Sequence, residues 1–214
     1  MMESKKAIYD LIPPAYYPKT ILVKANSPFE TVRQHVSGME LVYPMIAKPD
    51  IGLRGSAVKK VNSDEELQQY NSKAKFDYIV QDLIPFPNEV GIFYVRYPDA
   101  PSGKITGIVA KEFLIVIGDG RKTVEELLLE NPRYAFQLSS LQKEYGHQLH
   151  DVLPKGQQLN LVPYGNHARG AKFIDATKWN NPELERTIDI VCKQIDGFYF
   201  GRIDIMYNTI DELA

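Results

Sequence analysis

The sequence predicts an α+β protein with antiparallel sheets, and three observations predict it. Strand-like alternations follow one another across Pro- and Gly-bearing turns, as in hairpins. Helical stretches fall between them without a regular β-α-β succession, and capping residues mark where those helices open. At 214 residues, with 44% hydrophobic and 24% charged, the chain can bury a full core. The formal charge of −2 argues against a nucleic-acid surface built on bulk charge. The chain holds no apolar run of about eighteen residues, and MMESKKAIYDLIPP has no apolar h-region. Neither a membrane span nor a signal peptide is indicated, and a cytoplasmic location is expected. The single cysteine, Cys192, excludes an intramolecular disulfide and a Cys-rich zinc site. Its apolar helical phase predicts a buried thiol rather than a nucleophile.

In chain order, Thr20 to Lys24 reads as a strand, and Ser27-Pro28-Phe29-Glu30 as a capping box opening a helix to about Gly38. Tyr43 to Lys48 and Ser56 to Val61 read as two strands joined by a Gly loop. Ser63-Asp64-Glu65-Glu66 is a second capping box, for a helix to about Lys73. Tyr78 to Leu83, Glu89 to Tyr97 and Lys104 to Ile117 follow as strands. Thr123-Val124-Glu125-Glu126 caps a third helix, Arg133 to about Glu144 is helical, and Asn181-Pro182-Glu183 opens the last helix, with Leu184, Ile188, Val191 and Ile195 on one stripe. Phe198 to Tyr207 is the final strand. Leu153 to Lys178 is the longest stretch without a period, a feature common in functional segments. Three parts are expected: an extension over 1–19, a small lobe over 20–84 and a large lobe over 85–214.

Chemistry concentrates first in Tyr43 to Val61, YPMIAKPDIGLRGSAVKKV. Lys48 ends an apolar strand, and Gly52-Leu53-Arg54-Gly55-Ser56 supplies backbone N–H groups that a glycine-bearing turn can crowd around an anion. Neither the P-loop nor the dinucleotide glycine motif is present, so the reading is a hairpin flap over a nucleotide or a surface hairpin with solvated charges. In the last strand Phe198, Phe200, Arg202, Asp204 and Met206 share a face. Arg202 and Asp204 either pair with each other or serve a magnesium-nucleotide site. Gln81-Asp82-Leu83-Ile84, before a Pro-bounded turn, presents main-chain donors and acceptors suited to a purine edge, and Glu89 can accept two ribose hydroxyls. Two Gly-bearing loops, 117–123 and 166–172, carry Arg and Lys and read either as anion sites or as plain turns. Lys111-Glu112 interrupts an apolar strand and is a further candidate for a cleft. His147 and His150 read as surface residues.

YPMIAKPDIGLRGSAV, VQDLIPFPNE and FYFGRIDIM, in that order and spacing, resemble the ATP-grasp family near the D-alanine–D-alanine ligase type, over nearly the whole chain. GDGRKTVEELLLENPR is similar to a segment of cyanophycin synthetase and the bifunctional glutathione-synthesising ligases. The resemblance implies two α+β lobes gripping ATP and Mg²⁺, and a ligase that phosphorylates a carboxylate and joins it to an amine. Small-molecule carboxylate and amine substrates are implied, without nucleic acid or membrane. By the same resemblance Lys48 reaches the nucleotide phosphates and Gly52, Arg54, Gly55 and Ser56 belong to the closing flap. Gln81 stands where the family has Glu, Asp82, Leu83 and Ile84 form the adenine hinge, Glu89 binds ribose and Asp204 binds magnesium. Arg169 and Lys172 are the candidates for the transferred phosphoryl group. The family's second metal carboxylate and its asparagine have no counterpart after Asp204. The chain therefore reads as an excerpt or a reduced member, with an ATP-binding module lacking ligase turnover as the alternative.

Overall fold

Alternation along Thr20–Val23 (β1), Met45–Pro49 (β2), Lys59–Val61 (β3) and Tyr78–Asp82 (β4) builds a four-stranded sheet in the order β1-β4-β2-β3 in the computed structural model, which describes residues 3–52, 57–161 and 172–213. Every ladder in this sheet is antiparallel, and β4 sits centrally, pairing Gln81 with Thr20 on one side and with Ile46 on the other. Two helices, Phe29–Gly38 and Asp64–Lys73, cover one face. Their Val32, Val36, Leu67 and Tyr70 close over Ile21, Val23, Met45, Ala47, Tyr78 and Val80. Because strand side chains alternate, Ile46, Lys48, Ile79 and Gln81 project from the other face. A short N-terminal helix, Lys5–Tyr9, is capped by Ser4 and bonded to Asp50, whose Oδ1 accepts the Lys6 N–H at 2.8 Å.

The chain divides into two compact units. The first comprises Met1–Phe86, Arg96–Lys104 and Glu183–Phe200, and the second Pro87–Val95, Ile105–Pro182 and Gly201–Ala214. In the second unit Asn88–Val95 (β5), Lys104–Glu112 (β6), Lys172–Asp175 (β9) and Phe200–Tyr207 (β10) form a sheet in the order β10-β5-β6-β9. Ile115–Ile117 (β7) and Gln158–Asn160 (β8) make a separate antiparallel ribbon. Leu114, Val116, Val124, Leu128, Leu141 and Leu161 give that ribbon and its helices a core of their own. The predicted α+β class with antiparallel sheets is the observed one.

Several elements differ from their sequence reading. The strand expected from Lys104 to Ile117 breaks at Phe113 and Leu114, which are both buried, as neighbours on one alternating strand with a single covered face cannot be. The helix expected from Arg133 breaks into Pro132–Ala135 and Leu138–Tyr145, with the Gln137 N–H turning back to Tyr134. Tyr134, Leu138, Leu141 and Tyr145 still pack on one side. Ser27 does not cap its helix, since Pro28 occupies the cap position and no side-chain bond closes it. Around Ser63 the cap forms, but Glu66 reaches back to the Asn62 N–H instead of closing the box. The Thr123 box closes in both directions. The stretch from Leu153 to Lys178 contains β8 and β9, each too short to show a period.

Candidate functional site

In the first unit Lys48 stands on β2, half-buried, with Nζ 3.5 Å from the Tyr9 hydroxyl and 6.0 Å from that ring's centre. Tyr9 stacks in turn on Tyr17 at 5.1 Å. Gln81, on the same face of the neighbouring strand, lies diagonal to Lys48, because Lys48 pairs with Ile79. The residue is 7% exposed and its Oε1 has no hydrogen-bond partner among the described residues. A buried acceptor left unmet costs about 1–3 kcal/mol, so its persistence points to a donor supplied from elsewhere. Asp82 closes β4, with its N–H on the Lys19 carbonyl at 3.1 Å, and Leu83 and Ile84 follow half-buried. Gly52 is exposed with open space around it. Arg54, Gly55, Ser56 and Arg169 lie outside the described residues.

In the second unit four charged side chains meet on one sheet. The Lys111 side chain is only 5% exposed; its ammonium touches the carboxylate of Glu89, a side chain 17% exposed, and lies 3.6 Å from Asp204 Oδ2. Arg202 grips the same aspartate as a fork, Nε to Oδ1 at 3.0 Å and Nη2 to Oδ2 at 3.1 Å. The pairing read as one alternative for Arg202 and Asp204 is therefore present, and it stands within a larger cluster. Gly91 on β5 makes room for it, since a Cβ there would lie 3.0 Å from Arg202 Cδ and 3.1 Å from Asp204 Oδ1. The Phe173 ring lies beneath Lys111, its centre 5.9 Å from Nζ. In sequence Lys111 is an interruption of an apolar strand and a candidate for a cleft, with no partner named. That polar break at a strand end was the signal, and its burial between two carboxylates gives it weight.

Lys172 is not brought to this cluster. It pairs in register with Glu112, Nζ to Oε2 at 3.9 Å, while Lys111 pairs with Phe173, so the two lysines occupy opposite faces of the sheet. The loop from Gly118 to Lys122 is a structural turn. The Asp119 carboxylate accepts the N–H groups of Arg121 and Lys122, both at 2.8 Å, and these bonds hold its pKa below the ordinary aspartate value. His150 lies beside Glu125 at 3.5 Å at the surface. The Cys192 thiol is buried and its pKa is pushed up to about 12, by desolvation first and by Asp189 second, as suits a packed, unreactive side chain.

Among the described residues no three His, Cys, Asp or Glu side chains gather to hold a metal by themselves. Mg²⁺ at a nucleotide site usually takes one or two carboxylates and completes its shell with phosphate oxygens and water, and Asp204 with Glu89 nearby fits that demand. No helix among the described residues is long and apolar enough to cross a membrane.

The fold is that of the ATP-grasp ligases. The VanG D-Ala:D-Ser ligase of Enterococcus faecalis superposes with a TM-score of 0.55 at 15% identity, over 96% of this chain and 48% of the ligase. The D-alanine–D-alanine ligase of Bacillus anthracis superposes at 0.51 with 12% identity, over 97% and 53%. In sequence the chain is 25% identical over 166 residues to the glutathione biosynthesis bifunctional protein GshAB of Streptococcus mutans, spanning 67% of this chain and 21% of that protein. The chain thus spans about half the length of the solved ligases and about a fifth of the bifunctional protein. No family model matches it.

Proposed function

We propose that this chain binds ATP with Mg²⁺ and belongs to a ligase that activates a carboxylate as an acyl phosphate for attack by an amine. The observation that carries the reading is Lys111, a nearly buried ammonium between Glu89 and Asp204 in a chain with this fold. A lysine so placed, desolvated and flanked by carboxylates, is preorganised to meet a polyphosphate. Lys48 and residues 52–56 would serve the phosphates from the first unit. Gln81 Oε1, the unmet acceptor, takes the purine's exocyclic amine, and the main chain of Asp82 to Ile84 takes the ring edge. Glu89 accepts from the ribose hydroxyls. Asp204 would hold Mg²⁺, which supplies charge neutralisation on the transferring phosphoryl group. Arg202 is a further cation for the phosphates, and Arg169 from the 166–172 loop would meet the transferred phosphoryl group.

Calorimetry and thermal melting with Mg–ATP test the reading. At a hundred times its dissociation constant a ligand adds about 2.7 kcal/mol to stability, a readily measured shift. Absence of both heat and shift at millimolar nucleotide would remove it. ATP binding without ADP formation, on supply of amino-acid carboxylates and amines, would favour a binding module.

A further inference from the structure

We propose that Arg202 is an internal counter-ion that withholds Asp204 from free divalent metal, so that metal enters the cluster only together with nucleotide phosphates. The inference rests on the reading of Asp204 as the metal carboxylate and adds a rule for when that carboxylate is available. Both oxygens of Asp204 are engaged by one guanidinium, at 3.0 and 3.1 Å, and the Lys111 ammonium stands 3.6 Å from Oδ2. The fork is planar and matches the carboxylate in two bonds at once, a geometry that a single ammonium cannot reproduce. Glu89, Lys111, Arg202 and Asp204 carry two negative and two positive formal charges, which cancel.

A bare Mg²⁺ or Mn²⁺ approaching Asp204 would add two positive charges beside two fixed cations, and would have to shed water to compete with the fork. A metal arriving on a nucleotide diphosphate or triphosphate brings net negative charge. The phosphates can then draw off Arg202 and Lys111, freeing Asp204 for the metal. Arg202 and Asp204 are 45% and 40% exposed, so the fork can open without disturbing the core. Gly91, whose missing side chain leaves the fork its space on β5, is the second part of the device.

The test measures Mn²⁺ binding to the 214-residue chain by water-proton relaxation, with and without ADP. The parent should bind Mn²⁺ only weakly alone and at least about tenfold more tightly with ADP. Arg202→Met should bind Mn²⁺ alone at least about tenfold more tightly than the parent. Arg202→Lys, which keeps the charge but not the fork, should fall between the two. Asp204→Asn in the Arg202→Met background should abolish the gain, which ties it to that carboxylate. Arg202→Gln serves in place of Arg202→Met if the latter does not fold. If Arg202→Met binds free Mn²⁺ no better than the parent, the inference is overturned, while ADP-dependent binding in the parent leaves the nucleotide reading standing. Tight Mn²⁺ binding by the parent without nucleotide also overturns it. Failure of the parent to bind Mn²⁺ even with ADP removes both.

Discussion

Two segments of this chain each combine Gly, Asp and Arg, Gly118-Asp119-Gly120-Arg121-Lys122 and Gly201-Arg202-Ile203-Asp204, and their aspartates are satisfied in opposite ways. Asp119 is met by two backbone N–H groups of its own turn, which no ligand can displace without unfolding it. Asp204 is met by two side-chain cations that can move away. An aspartate closed by main chain is part of the scaffold, whereas one closed by mobile side chains has chemistry in reserve. The glycines follow suit. A Cβ on Gly118 would lie 2.4 Å from the Pro154 carbonyl and 2.6 Å from that of Leu153, both backbone, whereas the atoms nearest one on Gly91 belong to the side chains of Arg202 and Asp204.

The largest expected effect breaks the comparison on its scaffold side. Gly118→Ala should cost about 3 kcal/mol or more, because the Leu153 and Pro154 carbonyls, held by the Gly120 and Gln157 N–H groups, cannot step aside. Gly91→Ala should cost under about 1.5 kcal/mol, since flexible side-chain ends yield more cheaply. Urea unfolding of both variants checks this. Equal losses would show that the Arg202 fork is as rigid as the turn.

Next in size, Lys48→Met and Asp204→Asn should each weaken Mg–ATP binding by about 1.5–3 kcal/mol, the range for hydrogen bonds to charged groups. Melting should stay near the parent value. If both residues act on one nucleotide, the double mutant should lose less than the sum, with a coupling of about 0.5–3 kcal/mol. Strict additivity in calorimetry would mean that the two side chains act independently of each other. An Asp204→Asn protein that unfolds would make Asp204 a structural partner of Arg202 alone.

What the sequence made legible follows the same division. Elements with their own local signal were readable: the Thr123 box, the stripe of the last helix and the alternation of β2 and β4. Elements that exist only through their partners were not. β8 and β9 are three and four residues long, and their pairing with β7 and β6 makes them strands. Lys48 and Gln81, next to strand ends, and Asp204, within the last strand, stood out because polar groups interrupt apolar alternation. Lys111 shows the same interruption, but its importance lies in Glu89 and Asp204, from 22 positions upstream and from a strand at the far end of the chain. Lys172, the loop candidate for the transferred phosphoryl group, falls on the face opposite Lys111, a difference of register invisible without the partner strand.

A smaller effect is expected at Gln81, which resembles Asp204 in having capacity to spare but is buried rather than exposed. Gln81→Leu removes an unmet polar atom and should stabilise the free protein by about 1 kcal/mol while weakening ATP binding by about 0.5–1.5 kcal/mol. Opposite signs in melting and calorimetry would sharpen the distinction between scaffold and reserve. Loss of stability would show instead that the carboxamide is satisfied within the fold.

The smallest effect belongs to the exposed turn. Backbone donors from Lys122 and then Arg121 hold the Asp119 pKa below its ordinary value, so the folded protein releases this proton more readily than the unfolded chain. The sign follows by linkage: the contribution is fully present above the unfolded aspartate value of about 3.9 and disappears as pH falls through the lower folded value. Asp119→Asn keeps an acceptor for the same two N–H groups but removes the charge. Its melting temperature should therefore lie slightly below the parent's near pH 6, and the gap should close as pH falls below about 3.9. Paired melts across that range decide the point. A gap that is unchanged at every pH would mean that the turn reads the shape of the side chain and not its charge, and the contrast with Asp204 would then rest on the exchange of partners alone.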